Sequence, residues 1–501
     1  MNQIKYGVIL SYISLALNNV VTILYTPFLL HYLGKSEYGL YSLVSSIIAY
    51  LTVMDLGLGN TIVRYAALYK SEHLENKLYD LFGLFLRIYI IISVLAAFLG
   101  AILYFRLDDI LGGSLTAIEL YRIKIMFIIT LINLIITFPL SVFISIVTAF
   151  QKFIFQKSVN IIRIILQPLI MIPLLMVGYK AIALVLLMSI LNIGTLLCNM
   201  FYCFKVLRIK ITFGSVEKKI IKEVFIFASF VFLGVFVDKV NWSTGQILLG
   251  IYSGPEEVAL YAVAIQILLC YFGFASSMSG IFLPRITELI NDRNYEKQLS
   301  FLFIKIGRLQ YIILLLVFLG FVFYGKQFIL YWAGNEYVEA YYMSLIIMLP
   351  LTFVSIQHSG VLILQALNKQ KVRSVIYFII SILNILISCL LIRYFDSYGC
   401  AISLACCMTV GNLVIMNYYY KTAIHIDINK FWINIVRSVP LIAVMIIMGL
   451  IMNMLFPVAS LKNLILKILV FTVTYMFFSY FLYMNTYEKS LMQSFVKRIK
   501  R

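Results

Sequence analysis

Long apolar segments separated by short polar ones fill almost the whole chain. Stretches of about 18 or more mostly apolar residues are long enough to cross the hydrocarbon core of a bilayer as helices. The sequence contains fourteen such segments, with approximate bounds 7–31, 39–68, 81–105, 123–150, 158–177, 181–204, 221–250, 258–284, 299–324, 340–366, 374–394, 399–420, 433–456 and 460–484. This pattern predicts an all-α integral membrane protein.

The sequence repeats itself after 220 residues. Residues 32–41 align with residues 252–261, with Tyr, Gly, Glu, Leu and Tyr identical in register, and Asn192 aligns with Asn412. Each repeat contains six spans, and an even number of spans makes both repeats enter the membrane in the same direction. We therefore expect two parallel six-helix lobes around a midplane cavity, which is typical of a transporter. The predicted boundaries are 1–215 for the N-lobe, 216–425 for the C-lobe, and 426–501 for spans thirteen and fourteen with a basic tail.

Composition and charge agree with a membrane protein. Hydrophobic residues make up 63% and charged residues 12% of 501 residues, a balance that excludes a soluble domain of this size. The net charge is +19, and Lys and Arg are concentrated in every second connecting segment, that is, on one side of the membrane. This distribution indicates the positive-inside bias and attraction to anionic lipid rather than a nucleic-acid partner. The bias predicts that both termini are cytoplasmic, together with 69–80, 151–157, 205–220, 285–298 and 368–373.

The connecting segments are short and hold no inserted domain. A membrane enzyme that polymerises or transfers sugars usually has a long outer loop with acidic catalytic residues. The nearest candidates are Asp108 and Asp109 in the expected loop 106–122, where a solvated turn is the simpler interpretation. The seven cysteines show no metal-ligand spacing, so we expect no enzyme activity, no cofactor and no metal.

Polar residues recur on one helical face of span one, and the 220-residue shift places a second polar set at the same depth of span seven. We expect both helices to face the cavity, where Lys239 binds an anionic group and Trp242 stacks on a sugar. The alternatives are a folding partnership between Lys239 and Asp238, and simple packing of Trp242. The candidate cavity residues on these two spans are Asn18, Asn19, Thr22, Asp238, Lys239, Trp242 and Gln246.

Span two adds Asp55 and Arg64 to the candidate cavity residues. A charge inside the bilayer costs about 2.5–3.5 kcal/mol, so each needs a partner or a function. Asp55 is either a tether to another span or a proton or cation site, and Arg64 either faces the substrate or extends to lipid headgroups. Four further cations form an expected basic inner vestibule, although some of them also have the headgroup alternative: Arg87, Arg163, Lys305 and Arg308. His358 is a candidate proton-responsive group or a structural histidine.

Two segments, TPFLLHYLGKSEYGLY at 26–41 and DLGLGN at 55–60, resemble the opening of bacterial polysaccharide flippases of the Wzx type. That family belongs to a superfamily that includes multidrug and toxin extruders and lipid II flippases. The fourteen spans and the duplication agree with the superfamily over the whole chain.

The resemblance implies export of undecaprenyl-diphosphate-linked oligosaccharide to the outer leaflet of a bacterial cytoplasmic membrane by alternating access, for O-antigen lipopolysaccharide or capsule. The implied partners are this lipid-linked substrate, membrane lipids, a polysaccharide polymerase and a chain-length regulator. A lipid II flippase is the nearest alternative. A drug extruder would need an acidic cavity, and a membrane glycosyltransferase disagrees with the short outer loops.

Overall fold

The computed structural model of the chain describes residues 3–214, 218–290, 294–367, 369–455 and 460–499. Three predicted cytoplasmic segments, 205–220, 285–298 and 368–373, lie partly outside the described residues, at 215–217, 291–293 and 368. The described chain is almost entirely helical, and its helices are α1 Gln3–Leu51, α2 Leu58–Ser71, α3 Glu75–Leu111, α4 Ala117–Ala149, α5 Phe153–Met176, α6 Ala181–Lys205, α7 Lys218–Tyr252, α8 Pro255–Ile281, α9 Leu283–Leu289, α10 Tyr295–Trp332, α11 Ala340–Ile356, α12 His358–Ala366, α13 Gln370–Met408, α14 Asn417–Ala423, α15 Ile428–Val436, α16 Val439–Leu455, α17 Leu461–Leu482 and α18 Thr486–Ile499.

Eleven helical stretches in the described chain are long and apolar enough to cross a membrane. Two of them, Ile9–Ser71 and Gln370–Ala423, have 63 and 54 residues, at least twice the roughly 20 residues that one crossing needs. Each contains a break in the helix, at Gly34 (φ 76°) and at Asp396 (φ 43°), so each supplies two spans. With the 35-residue α7, the number of spans is fourteen, as the apolar pattern predicted.

The helix boundaries also repeat after 220 residues. The 37-residue α3 begins at Glu75 and the 38-residue α10 begins at Tyr295. The two glycines with positive φ that end the first span of each repeat, Gly34 and Gly254, are in the same register. Only glycine adopts this backbone conformation without steric cost, so the turn is encoded in both halves of the sequence.

The expected outer loop is shorter than the sequence indicated, because α3 continues to Leu111. The loop predicted at 106–122 is reduced to 112–116, between α3 and α4. Asp108 and Asp109 therefore lie in the last turn of α3, where Asp109 pairs with Arg106 at 2.9 Å and Asp108 pairs with Lys124. Each of the two carboxylates has a basic partner and remains exposed, which agrees with the simpler interpretation of a solvated position.

Contacts divide the chain into two compact units, Met1–Ala262 with Ser388–Ser397, and Val263–Ile387 with Tyr398–Arg501. In the first unit, α4 packs against α3 and α6, α1 packs against α5, and α7 packs along the second half of α1 and the segment that follows it. The core between α2, α3 and α4 is built from large apolar side chains such as Phe82, Phe85 and Phe138.

In the second unit, α10 is the central helix and packs against α11, α15, α16 and α17. Buried tyrosines join these helices by donating to backbone carbonyls: Tyr475 of α17 donates to Ile312 at 2.8 Å, and Tyr271 of α8 donates to Leu314 at 3.1 Å. Lys467 of α17 is also buried, and its ammonium lies 3.4 Å from the amide oxygen of Asn453. Lys467 was not among the cations that the sequence indicated within the spans.

Candidate functional site

Span two is interrupted in its middle. The helix α1 ends at Leu51, a single 3-10 turn covers Thr52–Asp55, and α2 begins at Leu58. Leu56 and Gly57 connect them in the left-handed conformation, with φ of 53° and 66°. We call residues 52–57 the span-two break. A non-helical backbone inside a membrane is tolerated only where protein buries it or where it lines a cavity, and such breaks form binding sites in transporters.

The side chain of Asp55 fixes the span-two break to α3. Tyr89 donates its hydroxyl hydrogen to the Asp55 carboxylate at 2.7 Å, and the Gly57 backbone N–H donates to the same carboxylate. The Tyr89 hydroxyl in turn interacts with Ser141 of α4 and with the backbone of Gly59. Asp55 is half-buried, and its bond to Tyr89 joins the break to a neighbouring span, as the tether interpretation requires.

The helix α7 packs antiparallel along span two on both sides of the break. Towards one end, Ser46 donates to the buried Gln246 and Tyr50 hydrogen-bonds Thr244. Towards the other end, Gly57 lies against Val231, where a Cβ would collide with the valine side chain. The predicted polar face of span seven therefore contacts span two along part of its length, and Gln246 serves this helix contact.

Lys239 lies between these contacts on α7, eight residues after Val231 and five before Thr244. Because the two helices are antiparallel, this position is level with the span-two break. The Lys239 side chain is half-buried, and no hydrogen bond or ion pair joins it to any part of the chain that the structure describes. Its neighbour Asp238 is exposed, and Trp242 is half-buried. An ammonium in this position can bind an anion that enters the site.

The other polar residues of span one have different surroundings. Ser14 is buried and accepts a hydrogen bond from Asn160 of α5 at 3.1 Å, so this face of the helix does meet a polar neighbour. Further along, Asn18 is exposed, Asn19 is half-buried, and the half-buried Thr22 accepts through its backbone carbonyl from Thr26 at 2.8 Å.

The remaining expected cations are spread over several environments. Arg64 is exposed and lies 6.0 Å from the ring of Tyr65. The exposed Arg87 donates to the backbone carbonyl of Phe213 at 2.8 Å and holds the chain after α6 against α3. Lys305, half-buried, lies 3.7 Å from the ring centre of Tyr487.

Arg308 is buried and fully engaged in the second unit. Its guanidinium donates to Glu488 at 2.7 and 2.9 Å, to the carbonyl of Tyr483 at 3.0 Å and to Asn434 at 3.2 and 3.3 Å. These bonds attach α18 and α15 to α10. His358 is half-buried and makes an edge contact with Phe272 at 5.6 Å, as a packed histidine does.

Arg163 lies near the middle of α5, the eleventh of its 24 residues, because α5 begins five residues before the predicted start of span five. Its guanidinium donates to Asn192 of α6 at 3.4 Å. Arg163 thus remains in the half of α5 that adjoins the predicted cytoplasmic segment 151–157, although it is close to the middle of the helix.

The sequence of residues 4–290 matches the family described as "Polysaccharide biosynthesis protein". Among proteins with curated functions, none matches the sequence. The fold is similar to that of a lipid II flippase MurJ in an inward closed conformation, with a TM-score of 0.70, 16% identity, and coverage of 95% of this chain and 98% of that one.

Two transporters of the MATE family have similar folds. One is a multidrug resistance transporter in an inward-facing conformation, which gives a TM-score of 0.60 at 12% identity and covers 80% of this chain and 92% of its own. The eukaryotic MATE transporter AtDTX14 gives 0.60 at 13% identity, covering 86% and 98%. These similarities confirm the transporter fold that the apolar pattern and the duplication predicted.

Proposed function

Because this chain belongs to the polysaccharide biosynthesis protein family, we propose that it is a flippase for undecaprenyl-diphosphate-linked oligosaccharide repeat units. It moves them from the cytoplasmic to the outer leaflet of a bacterial cytoplasmic membrane by alternating access, with both termini in the cytoplasm. The product feeds the assembly of a surface polysaccharide, O-antigen lipopolysaccharide or capsule. The substrate is moved without covalent change, so the activity is transport rather than catalysis.

The observation that supports an anionic substrate is the position of Lys239. A half-buried ammonium with no partner in the described chain lies level with a broken membrane helix. A diphosphate carries about two negative charges, and outward movement across an inside-negative membrane is favoured by about 2.3 kcal/mol per charge per 100 mV. The membrane potential therefore drives export, and the site lowers the cost of desolvating the phosphates.

The polymerase and the chain-length regulator of the same pathway are the expected protein partners, since they act on the exported lipid. A lipid II flippase remains the alternative function. The similarity to MurJ favours it, and the same reasoning about charge applies to its substrate.

The experiment is replacement of Lys239 in a host that depends on this chain for its surface polysaccharide. We expect Lys239→Ala and Lys239→Gln to abolish the polysaccharide at near-normal protein abundance in the membrane, and Lys239→Arg to keep part of it, because a positive charge is retained. Lys326→Gln is the matched control, since Lys326 is an exposed lysine at the end of α10. Full polysaccharide synthesis by well-expressed Lys239→Ala protein would show that this residue does not bind the substrate.

A further inference from the structure

A second polar centre lies inside the first unit, away from the span-two break. Asn192 of α6 donates to Asn133 and Thr137 of α4, at 3.0 and 2.9 Å. On α5, Arg163 donates to Asn192, and one turn earlier Asn160 donates to Ser14 of α1. Polar side chains thus connect all four helices. Asn133 and Asn192 are the seventeenth of 33 and the twelfth of 25 residues in their helices, so the centre lies near the bilayer midplane.

The charge of this centre is not balanced by the protein. Within the described ranges, no carboxylate forms an ion pair with Arg163, and its hydrogen-bond partner is a neutral amide. The guanidinium has five N–H donors, and one bond at 3.4 Å leaves most of them available. Arg163, Asn133, Asn160 and Asn192 are all half-buried, so none of these four side chains is sealed inside the protein core.

The second repeat shows that the fold does not require this centre. Shifted by 220 residues, Arg163 corresponds to Leu383, Asn133 to Phe353 and Asn160 to Ile380, while Asn192 corresponds to Asn412. Asn412 accepts a hydrogen bond from Tyr377, a neutral group. The same helices therefore form with apolar residues at three of these four positions. A charged residue kept near the midplane of only one repeat is better explained by a ligand than by folding.

We propose that the centre formed by Arg163, Asn133, Asn160 and Asn192 is a second anion site that binds the phosphate group of an anionic lipid. The planar guanidinium matches the geometry of phosphate oxygens, and amide N–H groups supply further donors. This inference rests on the proposed function for its source of phosphate, because the lipid-linked substrate carries a diphosphate. A membrane phospholipid carries the same group, and the experiment separates the two.

The test is lipid binding by the purified full-length chain in detergent, measured by native mass spectrometry. The probes are undecaprenyl diphosphate, phosphatidylglycerol and inorganic diphosphate. We expect Arg163→Leu, which introduces the residue of the second repeat, to raise the Kd for undecaprenyl diphosphate at least about tenfold. Arg163→Lys should have a smaller effect, since it keeps the charge but loses the planar fork. The control is Arg106→Gln, an exposed arginine paired with Asp109.

Asn133→Leu provides an independent variant if replacement of Arg163 prevents folding, and it should also weaken binding. Equal binding of undecaprenyl diphosphate by the wild type and Arg163→Leu overturns the site. If Arg163→Leu has no effect but Lys239→Ala abolishes the binding of undecaprenyl diphosphate, the proposed function stands without the second site. If phosphatidylglycerol binds as tightly as undecaprenyl diphosphate and Arg163→Leu weakens both, the result supports phosphate recognition and identifies the source as a membrane lipid. Arg163-dependent binding of inorganic diphosphate alone, or no binding of any probe by the wild type, overturns the proposal.

Discussion

Arg163 and Arg308 have similar apolar sequence surroundings but opposite environments in the structure. Both were expected in one basic vestibule, because each is a cation in a predicted span. Arg308 is paired with Glu488, which is 180 residues away, and such a distant partner leaves no trace in the local pattern. For Asp55, the need for a partner was predictable from the cost of a buried charge. The identity of that partner, Tyr89, was not predictable from the sequence.

The buried pair of Arg308 and Glu488 leads to a stability prediction. Replacing Arg308 with Gln leaves Glu488 buried without its partner, which costs about 3–5 kcal/mol. We expect a lower midpoint of thermal unfolding in detergent and a lower abundance in the membrane. Arg285→Gln is the matched control, because Arg285 and Glu288 form an exposed pair worth about 0–1 kcal/mol. Equal effects of the two substitutions would mean that the Arg308 pair does not stabilise the fold.

The tether role of Asp55 predicts that its charge is dispensable. In Asp55→Asn the amide oxygen still accepts from Tyr89 and from the backbone of Gly57, so abundance and surface polysaccharide should stay close to wild type. Asp55→Ala removes the acceptor for both the Tyr89 hydroxyl and the Gly57 N–H, and should cost about 1–3 kcal/mol of stability. Quantitative membrane blots and polysaccharide staining measure both effects. Normal abundance with no polysaccharide in Asp55→Asn would instead assign Asp55 to proton or cation binding.

At the scale of helices, hydropathy predicted where each span lies but not where a span is interrupted. Span two was predicted as one segment, 39–68, and the structure contains a 3-10 turn and two left-handed residues within it. Gly57 was a signal for this break, whereas Leu56 in the left-handed region was not predictable, since its side chain disfavours that conformation. Helix breaks depend on packing against neighbours, here α3 and α7, which periodicity does not reveal.

Gly57 and Gly34 allow the span-two break to be tested with a matched pair. Both have positive φ, so alanine introduces backbone strain at either position, about 1–3 kcal/mol. At Gly57 the added methyl group also collides with Val231, whereas no atom lies within 4 Å of the Cβ position at Gly34. Adding Val231→Ala should therefore recover part of the midpoint of thermal unfolding that Gly57→Ala loses, but none of the midpoint that Gly34→Ala loses. Equal recovery in the two backgrounds would contradict the contact between the break and α7.

At the scale of the whole molecule, the sequence was most informative about span number and repeat. Spans are identified from composition over long windows, and the repeat from many positions that share one register. Fourteen spans and the 220-residue register are confirmed. The partner of α7 was not predictable, since the repeat relates span seven to span one by sequence, whereas the structure packs α7 along span two. Equivalent positions in a duplicated fold need not be neighbours.

The direction of insertion remains a prediction from the charge bias. Single cysteines at Lys210 and Gly113, each in a cysteine-free variant, should differ in labelling by a membrane-impermeant maleimide. In intact cells we expect labelling at position 113 alone, and at both positions after the membrane is opened, because basic segments stay on the cytoplasmic side. Labelling of position 210 from outside would invert the topology and the proposed direction of export.

The central claim, that this chain moves a diphosphate-linked oligosaccharide lipid across a bilayer, is tested most directly in proteoliposomes. Vesicles reconstituted with the purified chain would carry undecaprenyl-diphosphate-linked oligosaccharide in both leaflets, and a membrane-impermeant glycosidase would report the fraction exposed outside. We predict that wild-type protein lets the enzyme reach the inner-leaflet lipid, that Lys239→Ala protein does so much more slowly, and that Lys326→Gln matches the wild type. Protection of the inner-leaflet lipid in wild-type vesicles, equal to that in protein-free vesicles, would contradict the account.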